Sequence, residues 1–229
     1  TDGEWVWADR TTLGGDNGIA VAMILAILSD DTLPHPPIEA VFTVEEEVGM
    51  DGAHALDPAG LNSRRLLNLD SEEEGVFTVC CAGGMRLDCL LPGEKQPLTG
   101  ETGFRVTLSG LHGGHSGCDI NLGRASANQQ MGRVLYSAME KFPGLRLADI
   151  RGGRFDNVIC PRSEALAAVP AGSGEEFQAF VREFDAILKN EYAGCDDGIT
   201  LTCEQADLAA ALDAQTTGRM LHVLLALPQ

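Results

Sequence analysis

Between residues 102 and 204 the hydrophobic period of the sequence changes in a fixed order, and that order leaves few folds open. Residues 102–109 (TGFRVTLS) alternate like a half-exposed strand. Residues 126–141 then take helical spacing, and residues 145–152 and 163–169 are again strand-like. Residues 175–189 set Phe177, Phe180, Val181, Phe184, Ile187 and Leu188 on one helical face, and residues 199–204 alternate. Strand, helix, strand, strand, helix, strand is the pattern of a two-layer ferredoxin-like α+β domain.

The first ninety residues read differently. Residues 18–28 (GIAVAMILAIL) are apolar nearly all round and follow Gly14-Gly15-Asp16-Asn17, which predicts a buried helix with Asp16 or Asn17 near its N-cap. The loop at 29–37, with three prolines, ends it. Residues 38–44 (IEAVFTV) have strand character, a short helix is expected over 45–56 despite Gly49 and Gly52, and residues 65–69 form a second strand ending at Asp70. Such alternation predicts an α/β layer with a largely parallel sheet. Ligands sit at the carboxyl ends of strands in such sheets, where Glu46, Glu47 and Asp70 fall. The polar, Pro-containing stretch 91–97 reads as a hinge, so the expected division is 1–92, 93–207 and a terminal apolar helix within 208–229.

Charge and cysteine usage narrow the function classes. Sixteen Lys and Arg against 34 Asp and Glu give a net charge of −18, which repels phosphate backbones and anionic membranes. Neither nucleic acid nor membrane is an expected partner. No apolar run reaches the ~20 residues that span a bilayer, and the N-terminus has no signal-peptide pattern, so a cytoplasmic protein is expected. The seven cysteines show no paired zinc-type spacing and are expected to be reduced and mostly buried. No internal repeat or low-complexity segment interrupts the chain.

Glu45-Glu46-Glu47 places three carboxylates side by side after an apolar run, which is costly unless a cation or water absorbs the charge. Taken alone, Thr43-Val44-Glu45-Glu46 reads more readily as a capping box. Asp16 is an acceptable N-cap, and Asp70 an ordinary strand-end residue. Three such acids in one α/β unit nevertheless suggest hard oxygen ligands converging on a metal. Adjacent carboxylates suit this chemistry, because one can hold metal while its neighbour stays free as a general base.

The second informative stretch is Ser109-Gly110-Leu111-His112-Gly113-Gly114-His115-Ser116-Gly117-Cys118-Asp119, where four glycines let the backbone turn tightly around two histidines. That density raises His115 above an inert surface histidine. His35 and His54 show no partner pattern, and His222, inside an apolar helix, reads as a core histidine.

Together the strings Thr12-Leu13-Gly14-Gly15-Asp16-Asn17-Gly18, Phe42-Thr43-Val44-Glu45-Glu46-Glu47-Val48-Gly49-Met50, Asn68-Leu69-Asp70-Ser71-Glu72-Glu73-Glu74-Gly75 and Gly113-Gly114-His115-Ser116-Gly117 resemble the aminoacyl-histidine (Xaa-His) dipeptidases. These are carnosinase-like members of the di-zinc aminopeptidase and carboxypeptidase superfamily. The resemblance implies part of a mostly parallel-sheet catalytic domain, an inserted lid that closes over substrate, and a homodimer formed through that lid. It implies two zinc ions, replaceable by other divalent metals, bridged by Asp16, with Glu47 on one and Asp70 on the other. Glu46 would be the general base, and His115 would stabilise the oxyanion during hydrolysis of short peptides. Asn157 matches a substrate-contacting Asn of the lid; the stretch Asn157-Val158-Ile159-Cys160-Pro161-Arg162 is one residue longer than its counterpart, which loosens the match at Arg162.

The family's two zinc-binding histidines, one upstream of Asp16 and one near the end of a longer chain, have no counterpart among the five here. The expectation is therefore an internal fragment, inactive by itself. Two other readings stay open at this level: a non-catalytic dimerisation module, and a related N-acyl amino acid deacylase or carboxypeptidase.

Overall fold

A computed structural model describes residues 3–9, 15, 17–71, 73–81, 83 and 87–227, divided between two units, Thr1–Arg86 and Leu87–Gln229. In the first, α1 (Gly18–Ser29) starts on Asn17, whose Oδ1 accepts the Ala20 amide at 3.1 Å. Asp16 lies outside the described residues. Only Ala20 of α1 is buried, and Ile19 is 65% exposed, so the expected buried helix is not found. An apolar helix is buried only where other elements cover each face, and the described residues cover one.

The expected helix at 45–56 is broken in two. A single 3-10 turn, Glu46–Val48, is followed by α2 (Asp51–Ala55), with Gly49 at φ 127° and Met50 at φ 60° between them. The turn has Glu45, not Thr43, as its cap residue and no side-chain cap bond, so the capping box does not form. Segments 38–44 and 65–69 form no strand and pair in no ladder among the described residues, and Leu66 and Leu67 are exposed. The parallel sheet expected here is thus absent from the described residues. Strand pairing requires a neighbour's N–H and C=O groups as well as a suitable sequence. What fastens 38–44 is Glu39, whose carboxylate accepts the amides of Asn62 at 3.0 Å and Ser63 at 2.6 Å. Hydrogen bonds from the Ser63 side chain and from these amides hold its carboxyl down at about 2.

The second unit forms as its sequence predicts. Its elements are β1 (Lys95–Pro97), β2 (Thr102–Ser109), β3 (Gly114–His115), α3 (Ala127–Lys141), β4 (Arg146–Gly152), β5 (Val158–Ile159), β6 (Ser163–Val169), α4 (Gly174–Glu191), β7 (Thr200–Gln205), β8 (Ala210–Leu212) and α5 (Ala214–Ala226). The main sheet is antiparallel in the order β4-β6-β2-β7, the ferredoxin-like arrangement. Alternation aims Phe104, Val106 and Leu108 of β2 into the core, opposite Ala167, Ala165 and Ser163 of β6. Against them lie Met131, Val134 and Leu135 of α3 and Phe177, Val181 and Leu188 of α4. The Phe177 ring contacts those of Phe104 at 5.2 Å and Phe142 at 5.7 Å. Mixed α/β is therefore the fold class.

Three local expectations change in this unit. The terminal helix begins at Ala214, where Asp213 accepts the Thr216 amide at 2.7 Å; residues 210–212 pair instead with β1. The expected hinge thereby contributes a strand, because Arg146 binds carbonyls on both members of that ribbon. His222 is exposed, with its ring edge-on to Tyr136 at 5.1 Å, and is not a core residue. All seven cysteines are free, but only Cys160 is buried, Cys203 is intermediate and the rest are exposed. Burial pushes the Cys203 thiol up to about 11.

Candidate functional site

In the Leu87–Gln229 unit the loop after β2 carries the glycine-rich histidine motif. Gly110 starts it at φ 80°, where any Cβ would collide with the Gly198 carbonyl. The loop is then pinned by Asp196, which is fully buried. Its Oδ1 accepts the His112 amide at 2.7 Å and lies 3.0 Å from His112 Nδ1, while Oδ2 accepts the Ala125 amide at 2.7 Å. One carboxylate thus ties both ends of residues 112–125. Burial pushes its carboxyl up, but the His112 and Ala125 amides and the His112 ring outweigh burial, leaving it below the ordinary value.

Inside that frame, β3 pairs with β5 and sets His115 opposite Val158. The Ser116 amide donates to the Asn157 carbonyl at 2.9 Å. Two residues proposed from sequence, His115 and Asn157, are thereby brought side by side by a two-residue ladder. His115 N donates to Asp119 Oδ2 at 2.9 Å, and Arg124 Nη1 donates to the Gly113 carbonyl at 2.8 Å. Gly114, at φ 135°, leaves room for that pair: a Cβ there would sit 2.5 Å from Arg124 Nη1 and 2.6 Å from Asp119 Oδ2.

The Thr1–Arg86 unit carries the acids. Glu46 and Glu47 lie exposed on the 3-10 turn, bracketed by Glu45 and Met50, both at φ 60°. A left-handed non-glycine residue costs roughly 1–2 kcal/mol, and that strain is supported by Met50 N donating to Glu45 O at 2.9 Å and Gly52 N to Val44 O at 3.2 Å. Asp70 is exposed at the end of 65–69. Asn17 Nδ2 donates to the Leu69 carbonyl, which brings the neighbours of Asp16 and Asp70 together. Exposed carboxylate oxygens suit a divalent cation, so Glu47 and Asp70 fit by donor chemistry. Among the described residues no three His, Cys, Asp or Glu side chains converge as a metal site, and Asp16 lies outside them.

Gly52 is what lets α2 lie against the segment before the glutamates. A Cβ there would stand 2.6 Å from both Val44 N and Val44 O. Gly52→Ala is expected to destabilise this unit by roughly 1–3 kcal/mol and to shift the backbone amide resonances of residues 44–48. Unchanged amide shifts in the variant would refute the contact.

Residues 106–195 match the M20 peptidase dimerisation domain. Across 99% of its length the chain is 41% identical to the cytosol non-specific dipeptidase of Escherichia coli (strain K12), covering 47% of that protein. The aminoacylhistidine dipeptidase of Vibrio alginolyticus, known from its crystal structure, is similar over 100% of this chain and 47% of its own, with a TM-score of 0.70 and 33% identity. The chain is similar to these two dipeptidases over nearly all of its own length. It spans about half the length of the curated relative it matches.

The residues whose role left no readable signal in the sequence are Asp196, Asp119 and Arg124. Asp196 gives no local signal, because the amides it holds are 84 and 71 positions away. Asp119 and Arg124 flank the histidine motif, and their spacing to it was legible, but not the direction of their bonds.

Proposed function

We propose that the chain is part of a metal-dependent dipeptidase that hydrolyses short peptides, Xaa-His dipeptides among them, in the cytoplasm. The observation that carries this reading is the 41% identity to the E. coli dipeptidase over 99% of the chain. It also rests on the exposed Glu46-Glu47 pair and on the pinned His115 loop. Glu47, Asp70 and Asp16 would hold divalent metal, two zinc ions in the fullest form. Metal bound there would polarise the peptide carbonyl and acidify water. Glu46, free beside Glu47, takes the water's proton. His115 donates a hydrogen bond to the oxyanion, and Asn157 contacts the substrate.

The test is a chimera in which these 229 residues replace the matching part of the E. coli dipeptidase. The chimera is expected to cleave dipeptides, and Glu46→Ala within it to lower kcat by about a hundredfold with metal content unchanged. A folded, metal-loaded chimera without dipeptidase activity would sink the reading. The 229-residue chain by itself is expected to bind zinc weakly and to turn over slowly or not at all.

The match of residues 106–195 to a peptidase dimerisation domain favours a second property, self-association through the Leu87–Gln229 unit. Light scattering of the purified chain is expected to give twice the mass of one copy. A strict monomer at all concentrations removes it.

A further inference from the structure

Three imidazoles in this chain have Nδ1 against a neighbour whose hydrogen-bonding role is fixed, and the roles are opposite. A backbone N–H only donates; a carbonyl or carboxylate oxygen only accepts. His112 Nδ1 faces Asp196 Oδ1 at 3.0 Å, and His35 Nδ1 faces the Pro36 carbonyl at 2.8 Å. In both rings that nitrogen carries the proton. His115 Nδ1 instead receives the amides of Gly117 at 3.0 Å and Cys118 at 3.2 Å. It must offer its lone pair, so in the neutral ring the proton sits on Nε2.

The turn around His115 is closed from both sides. His115 N donates to Asp119 Oδ2 at 2.9 Å, and Asp119 N donates back to the His115 carbonyl at 3.0 Å. The ring then lies over Gly117, where a Cβ would stand 3.3 Å from both Nδ1 and Cε1. A Cβ there is tighter than ordinary van der Waals contact, so the ring must give by a few tenths of an ångström where it meets the two amides.

We propose that the turn at 115–119 fixes His115 as an Nε2–H donor, with the amides of Gly117 and Cys118 as the positioning groups. The free edge of the ring then recognises an oxygen bearing negative charge and does not ligate a cation, which requires a bare nitrogen. His112, three positions earlier, is fixed the other way and presents a bare Nε2. The assignment deepens the oxyanion role given to His115 above and rests on that reading for its purpose, but the proton's position is measured independently of any activity.

The experiment is a long-range proton–nitrogen correlation of the imidazole rings in the 15N-labelled chain at about pH 8, where a free imidazole is neutral. His115 is expected to show a single Nε2–H tautomer, while His112 and His35 show Nδ1–H in the same spectrum. In Gly117→Ala, His115 is expected to move to the averaged shifts of an exchanging ring, with His112 and His35 unmoved. Should that variant not fold, a coupling across the hydrogen bond from the Gly117 amide to His115 Nδ1 in the unsubstituted chain supplies the second reading, and its absence counts against the proposal. An Nδ1–H or averaged His115 ring in the unsubstituted chain overturns it, as does a folded Gly117→Ala in which His115 stays fixed. A fixed Nε2–H together with an inactive chimera supports this assignment and removes the catalytic reading.

Discussion

Asp196→Asn is expected to lower the stability of the Leu87–Gln229 unit by about 3–5 kcal/mol, the range for removing one partner of a buried charged network. Asp196 is wholly buried and accepts from the amides of His112 and Ala125 and from the His112 ring. An amide of the same size keeps one oxygen but turns its NH2 toward one of these donors. A donor then faces a donor with no water to relieve it. Denaturant unfolding of the chain measures the loss, and hydrogen exchange at Ala125 locates it. A change below about 0.5 kcal/mol, the scale of an ordinary surface substitution, would refute the anchoring role.

The same carboxylate gives a pH signature with a definite sign. Burial raises its carboxyl, but the His112 and Ala125 amides lower it more, so its folded value lies below its unfolded one. Its contribution is therefore present above about pH 4, the unfolded value, and is lost as the pH falls through the folded value. In Asp196→Asn the acid-side decline of stability becomes shallower. An equal decline in both proteins would show that other carboxylates carry it.

Arg146→Met is the second large effect, expected at about 3 kcal/mol, the lower end of the range for breaking a buried pair, because Arg146 and Glu101 are both only partly buried. The Arg146 side chain is 12% exposed and uses every donor of its guanidinium. Nε binds the Leu212 carbonyl at 3.0 Å; Nη1 binds the Pro97 carbonyl at 3.2 Å and Glu101 Oε1 at 2.8 Å; Nη2 binds the carbonyls of Gln96 at 2.9 Å and Ala211 at 2.8 Å. One side chain on β4 thus fastens both strands of the β1–β8 ribbon. Hydrogen bonds from Arg146 first, then from the Thr99 amide, hold the Glu101 carboxyl down at about 2. Without Arg146 that carboxylate keeps its position but loses its cation. Arg146→Lys is expected to recover little, because three donors on one nitrogen cannot span five acceptors. Full recovery by lysine would reduce the contact to simple charge.

Legibility followed how local the determining interactions are. The βαββαβ order of residues 102–204 was readable because each helix there carries one apolar stripe and each strand one apolar face. The two-strand ribbon was not readable: Lys95–Pro97 is polar and proline-containing, and it pairs only because a distant arginine collects its carbonyls. The helix expected at 45–56 failed at Gly49 and Met50, where the backbone turns to positive φ and Gly52 comes close against Val44. The histidine motif was visible as a glycine-dense string, but the direction in which its ring offers a proton was not.

By itself the sequence determined the period of each element in the second unit, the presence of an acidic pair after an apolar run, and the likeness to dipeptidases, since all of these reside in neighbouring side chains. Tertiary structure alone decided which carboxylate holds the His115 loop, which backbone and side-chain groups face the Nδ1 atoms of His112 and His115, and where the ribbon closes. Those outcomes depend on backbone donors and acceptors, which every residue but proline carries alike; their pairing is set by where the fold brings the chain together and leaves no trace in residue type.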